Sequence, residues 1–264
     1  MFHVEQPEGD PPAFHVEHSV AITLAVTNQK GGVGKTTTVV NLAAFASLAG
    51  KRTLVVDSDP QGNASSVLAP PGQHRSIYAD QAPLSVTGFE RLWVIPSGTD
   101  LIDAERRLVN QEGGPFALKR RLAPLADRFD LIIVDCPPSL TLLPINALNA
   151  ASHLVIPIQC EYFAMEGLSQ LLAAMSEIKE ESNPDLALAG IVLTMCDETL
   201  SFARQVAAEI RRHFGDRVCK TVIPRDIALA AAPSHGKTIV DYDPLSAGCR
   251  AYLGVTKEII HGLG

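Results

Sequence analysis

The chain has 264 residues, 46% of them hydrophobic, with 22 Lys and Arg against 29 Asp and Glu and a net charge of −7. That length suits one α/β domain with a large core, and the acidic balance argues against a constitutive nucleic-acid binder, so any DNA surface must be local or assembled on demand. The five cysteines (Cys136, Cys160, Cys196, Cys219 and Cys249) are scattered and form no CxxC pair, which points to buried, reduced, cytosolic thiols rather than a disulfide framework or a metal site.

Residues 1–20 read as a flexible leader, rich in Pro, Gly and acid, without the apolar stretch of a secretory signal. The leader carries FHVE twice, at 2–5 and 14–17. Residues 21–27 (AITLAVT) predict a buried strand, 28–34 a Gly-rich turn, and 35–49 a helix with Val39, Leu42, Ala43 and Ala46 on one face and Gly50 as its stop. A second strand at 53–56 ends at Asp57, and 60–90 reads as loops with short pieces of order. A strand at 92–96 precedes one or two helices over 100–128, placed around Gly113-Gly114-Pro115. Residues 131–134 (LIIV) have the composition of a strand buried on both faces. Further strands are predicted at 153–158, 187–194 and 218–223, and helices at 141–150, 164–182, 201–214 and 246–262. This alternation predicts an α/β fold: a mostly parallel twisted sheet with helices on both faces, in a single domain over 21–264.

The strongest chemical signal is QKGGVGKTT at 29–37, between a predicted strand and a predicted helix. Gly31, Gly32, Val33 and Gly34 let backbone N–H groups converge on phosphate oxygens at a helix N-terminus. Lys35 then reaches the terminal phosphates, and Thr36 can hold Mg²⁺. The usual pattern has glycine where this chain has Gln29, and a second lysine, Lys30, stands beside the glycines. Two more stretches agree with a phosphate site. VVDSDPQGN places Asp57 and Asp59 one residue apart at a strand's C-terminal end, and IIVDCPP delivers Asp135 to hold a metal, usually through water.

NQKGGVGKTTTVVNLA, VVDSDPQGN, VDCPPSL, PIQCEYFAMEGLSQL, TVIPRD and APSHGKTIVDYDP together resemble the ParA/MinD family of deviant Walker A P-loop ATPases. Within it the chain is similar to the small chromosome-partitioning ParA (Soj) type over roughly residues 21–260. The resemblance implies a slow ATPase with ATP and Mg²⁺ as cofactors, working as a sandwich homodimer. Lys30 would cross to the partner's nucleotide and Gly31 would lie at the dimer interface. Lys30, Lys35 and Asp59 would be catalytic, Asp59 positioning the attacking water and Asp57 lying near the metal. Thr37 would contact the α-phosphate, and Met195, Pro224, Arg225 and Asp226 would form the adenine side. The implied partners are nonspecific DNA and a ParB-like centromere-binding protein that stimulates hydrolysis. The implied location is cytoplasmic, and nucleoid-associated when ATP is bound. Gln61 and Asn63 follow Asp59 as candidate reporters of nucleotide state, a role that ordinary turn chemistry matches equally well.

Relatives carry DNA-binding arginines where this chain has Thr199 and Ala228, which moves that expectation to Arg204, Arg211, Arg212, Lys237 or Arg250. The alternative is a MinD-like positioning ATPase acting on a protein or membrane surface, but the Gly-broken, barely basic C-terminus does not resemble an amphipathic membrane helix. A metabolic enzyme on the same fold would need a substrate pocket. FHVE can be encoded as TTC CAC GTG GAA, which is its own reverse complement and resembles the palindrome bound by the ParB partner. One expectation is that the leader is translated regulatory DNA; chance repetition and a true start downstream of Met1 are the alternatives.

Overall fold

A computed structural model describes residues 21–72, 74–80, 84–139, 141–161 and 164–263. The expectation for 1–20 lies outside these residues. The apolar runs become β1 (Ile22–Val26), β2 (Thr53–Asp57), β3 (Ser85–Val86), β4 (Leu92–Ile95), β5 (Leu131–Asp135), β6 (His153–Gln159) and β7 (Ala187–Thr194). They form one sheet in the order β3-β4-β2-β5-β1-β6-β7, in which only the β3–β4 pair at the edge is antiparallel. β1 lies between β5 and β6 in the sheet; from it the chain leaves towards β2 on one side, while β6 leads on to β7 on the other. The loop after β1 therefore sits at a switch point, where an open α/β sheet leaves a crevice at its C-terminal edge.

Successive residues of each strand face opposite sides, so the sheet divides the core in two. Leu54, Val56, Ile132, Val134, Ile156 and Leu193 pack under α3 (Leu101–Val109), α4 (Ala117–Leu122), α5 (Leu142–Ala150), α6 (Ala164–Glu181) and α7 (Ser201–Phe214). Val55, Ile133, Val155 and Val192 pack under α1 (Lys35–Leu48), α2 (Asn63–Leu68), α8 (Ile227–Ala231), α9 (Ile239–Tyr242) and α10 (Ala247–His261). Both faces are covered, which is why the strands read as continuous apolar runs rather than alternating ones.

The predicted helix at 35–49 and the strand at 187–194 agree with the structure to within a residue. The predicted strand at 218–223 does not form. Only single bridges, Ile191 with Val218 and Cys196 with Pro224, join this stretch to its neighbours. Cys219 N and Ile223 N still donate to Ile191 O and Leu193 O of β7, each at 2.9 Å, but two amides between them are drawn elsewhere. Lys220 N and Thr221 N donate to the Glu258 carboxylate of α10 at 2.5 and 2.9 Å, so they are not available to a ladder. No local signal marks α2, which lies inside the stretch read as loops. Gly62, at φ 64°, precedes it and has no side chain to cap it. The Asp57 carboxylate does that work from the end of β2, accepting Ser65 N–H at 2.7 Å.

Candidate active site

Residues 28–34 join β1 to α1, and hydrogen bonds fix both ends of the turn. Asn28 Nδ2 donates to Pro157 O at 2.8 Å while its Oδ1 accepts Lys30 N–H at 3.0 Å. Val33 O accepts the Thr194 hydroxyl at 2.8 Å, which ties the turn to the end of β7. Gly32 and Gly34 have φ of 74° and 86°, where a side chain is strained. Gly31 is different, because a Cβ added there would meet nothing within 4 Å. No contact within one chain requires glycine at that position.

The carboxylates follow from strand register. Asp57 and Asp135 are direct partners on the parallel strands β2 and β5, so they reach the crevice at the same level. Asp135 is fully buried; its Oδ2 accepts the Thr36 hydroxyl at 2.8 Å, and its Oδ1 has no partner among the described residues. Burial, and then the charge of Asp57, push its pKa well above the ordinary carboxylate range. A buried carboxylate oxygen without a partner is costly. Thr36 Oγ1 and Asp135 form an all-oxygen donor pair suited to Mg²⁺, which keeps water and phosphate oxygens in the rest of its shell. Among the described residues, no cluster of three or more His, Cys, Asp or Glu could hold a metal by itself.

Asp57 is engaged within the chain. Its Oδ1 accepts Asp59 N–H at 3.1 Å, and its Oδ2 accepts Ser65 N–H at 2.7 Å and the Ser65 hydroxyl at 2.6 Å. Burial pushes its pKa up to about 6, against those hydrogen bonds. The Ser65 hydroxyl also accepts Ser97 N–H at 2.8 Å, so one serine links β2, α2 and the end of β4. Asp59 is buried and accepts Gln61 N–H at 2.9 Å, while Gln61 and Asn63 are exposed.

The two lysines diverge. Lys35 is buried, with Nζ donating to Lys30 O at 3.0 Å; burial lowers its pKa while the charges of Asp135 and Asp59 oppose the shift. Lys30 points away from its own phosphate loop and pairs with Glu161 Oε2 at 2.5 Å.

The residues expected on the adenine side lie together. Gly34, Thr37, Met195, Pro224, Arg225 and Asp226 line a cleft of about 220 Å³ beside the phosphate loop. Met195 has φ 48°, the only positive value outside glycine among the described residues, and its Cε lies 3.9 Å from where a Gly34 Cβ would stand. Strain of this kind persists where the surroundings over-determine it, often at functional sites. Asp226 carries a structural load too: it caps α8 through Ala228 N–H at 2.8 Å and holds Gly248 N–H of α10 at 2.7 Å.

The candidate DNA residues do not form one free cluster. Arg204 donates to Glu198 O and Thr199 O, Arg211 to Cys219 O and Lys220 O, and Arg250 to Leu245 O. Arg212 pairs with Glu209 at 2.6 Å. Lys237 is exposed. Sequence reasoning missed Ser65, Glu161 and Thr194, because a serine, glutamate or threonine outside the phosphate motif carries no local signal of what it will touch.

The sporulation initiation inhibitor protein Soj of Bacillus subtilis is 48% identical over 245 residues, covering 89% of this chain and 97% of that protein. The chain belongs to the ParA/Soj family of chromosome-partitioning ATPases. Another ParA/Soj relative, the chromosome partitioning protein ParA of Myxococcus xanthus, is 45% identical, covering 92% of this chain and 89% of its own. The sequence profile of a family described as an AAA domain matches residues 21–188. Among solved structures, the cobyrinic acid a,c-diamide synthase of Mycobacterium smegmatis with bound ATP analog and magnesium superposes with a TM-score of 0.78 at 35% identity, covering 92% of this chain and 96% of that one. The ParA/Soj site thus rests on the P-loop fold expected from the sequence, with the phosphate loop, Asp57, Asp59 and Asp135 at one sheet edge.

Proposed function

We propose that this ParA/Soj-type ATPase is a switch: it binds ATP and Mg²⁺, dimerises around two nucleotides, holds nonspecific DNA in that state, and lets go when a ParB-like partner stimulates hydrolysis. One observation carries the reading. Lys35 is buried at its own phosphate loop, whereas Lys30, five residues earlier in the same loop, turns outward to Glu161. A lysine at the loop that does not serve its own site is available to a second subunit, and Gly31 leaves backbone open beside it. Hydrolysis then depends on assembly, because phosphoryl transfer is mostly positioning and charge stabilisation.

In this scheme Lys35 and Lys30 balance phosphate charge from the two subunits. Thr36 and Asp135 hold Mg²⁺, which when bound neutralises phosphate oxygens. Asp59 orients the attacking water, and Asp57 keeps α2 against the strand end. Thr37, Met195, Pro224, Arg225 and Asp226 enclose the base. Pairing two chains would double any basic surface, which reconciles DNA binding with a net charge of −7. The ATP-bound form is then nucleoid-associated and the free form cytoplasmic. In α10, Tyr252, Val255 and Ile259 are committed to the core rather than left as an apolar face for a membrane surface.

The deciding experiment measures binding to nonspecific duplex DNA with ATP, with ADP and without nucleotide, at two salt concentrations. Salt-sensitive binding only with ATP is expected. An ATP dimer that binds no DNA at low salt would move the cargo to a protein surface and overturn the DNA part.

A further inference from the structure

A cavity of about 640 Å³ opens on the opposite side of the sheet from α1, between residues 75–80, α3 and α4. Arg75, Arg107, Arg120 and Arg121 line it, with Asp80 and Asp100. It shares no lining residue with the cleft beside the phosphate loop.

What sets these four arginines apart is that they share one concavity. Arg52, Arg106 and Arg212 each have a carboxylate partner within 4.0 Å, and among the described residues none of the four cavity arginines does. Arg120 and Arg121 each give one N–H to a backbone carbonyl, Gly113 O at 2.9 Å and Tyr78 O at 3.1 Å. Those bonds aim the guanidinium groups without neutralising them. Arg75 and Arg107 donate to no other described residue. Asp100 is already occupied, accepting Ser76 N–H and the Ser76 hydroxyl, each at 2.8 Å.

We propose that this cavity binds a small anion carrying two or more phosphate groups. Guanidinium forks match phosphate oxygens two at a time, the four arginines outnumber the two lining carboxylates, Asp80 and Asp100, and a cavity of about 640 Å³ is larger than one phosphate fills. The position gives such a ligand a path to the hydrolytic strand end. Tyr78, whose carbonyl takes Arg121, buries its hydroxyl beside that of Ser58. Ser58 stands between Asp57 and Asp59.

The test uses the full chain saturated with ADP and Mg²⁺, so that the phosphate loop is filled. Inorganic tripolyphosphate is titrated in by calorimetry at matched free Mg²⁺. One further equivalent should bind to the wild type, and Arg75→Gln with Arg107→Gln should weaken it roughly tenfold or more. Neither side chain bonds the described protein, so ADP affinity and Tm should be unchanged in that variant, which separates site loss from misfolding. No binding to the wild type, or undiminished binding in the variant, overturns the proposal. Duplex DNA shares the phosphate chemistry and forms the second arm. If a short duplex displaces tripolyphosphate and loses affinity in the same variant, the site belongs to a DNA backbone and the small-anion assignment falls. If it does not compete, the assignment stands.

Discussion

Glu161→Gln is the most informative test of the proposed dimer. In the single chain Lys30 is tethered to Glu161 with both side chains about half exposed, at 46% and 47%. A lysine that must cross to a partner has to leave this pair first. An ion pair at that exposure is worth about 0.2–1 kcal/mol. Two lysines leave per dimer, so removing the tether should favour assembly by about 0.4–2 kcal/mol, a dissociation constant roughly 2- to 30-fold lower. Glutamine keeps the shape and a hydrogen-bond acceptor, so the charge alone is changed. The assay is sedimentation velocity across a concentration series, with a non-hydrolysable ATP analogue and Mg²⁺. High salt screens exposed pairs, so the wild type should approach the variant as ionic strength rises. A weaker dimer in Glu161→Gln would refute the reasoning by placing Glu161 in the interface itself. An unchanged dimer would show that the tether carries no energetic weight.

Thr36→Ala removes one of the two oxygens assigned to the metal and leaves Asp135 Oδ2 without its 2.8 Å donor. ATP affinity should fall in Mg²⁺ and change little in EDTA, read by a fluorescent nucleotide; equal losses in both would detach Thr36 from the metal. The Asp57 carboxyl has a folded-state pKa of about 6 against an ordinary 3.8, so the folded chain holds a proton that the unfolded chain has released across that window. Its contribution to stability is therefore full below the unfolded value and lost as pH rises towards 6. Asp57→Asn, free of nucleotide and metal, should gain Tm relative to the wild type as pH goes from about 4 to 7. Parallel curves would contradict the burial argument.

The sequence is most legible where one physical cause dominates. Double-sided burial writes β1, β2 and β5 as apolar runs, and the clustered glycines mark the phosphate turn because two of them, Gly32 and Gly34, take a left-handed φ. Asp57, Asp59 and Asp135 are legible as strand-end residues. What is not legible has a common form: α2, unplaced among the short pieces of order expected over 60–90, is capped by a carboxylate eight residues upstream of Ser65, and 218–223 is not a continuous strand because Glu258 takes the Lys220 and Thr221 amides while only Cys219 and Ile223 still bond to β7. Lys30 stands out in the loop as an unusual residue, yet its partner Glu161 lies 131 residues away. Local propensity and spacing carry no record of such long-range hydrogen bonds.

The register of β2 and β5 acts as a ruler. Thr53 pairs with Leu131 and Asp57 with Asp135, so both strands use the same number of residues between entering the sheet and delivering an acid. Each residue advances a strand by about 3.3 Å and turns its side chain to the other face. Losing one residue from β2 would withdraw its carboxylate from the crevice and put it against the opposite layer of helices. A chain folded with that slip would keep its hydrogen bonds and lose its chemistry. The length of a five-residue strand is thus as much a part of this site as the side chains at its end.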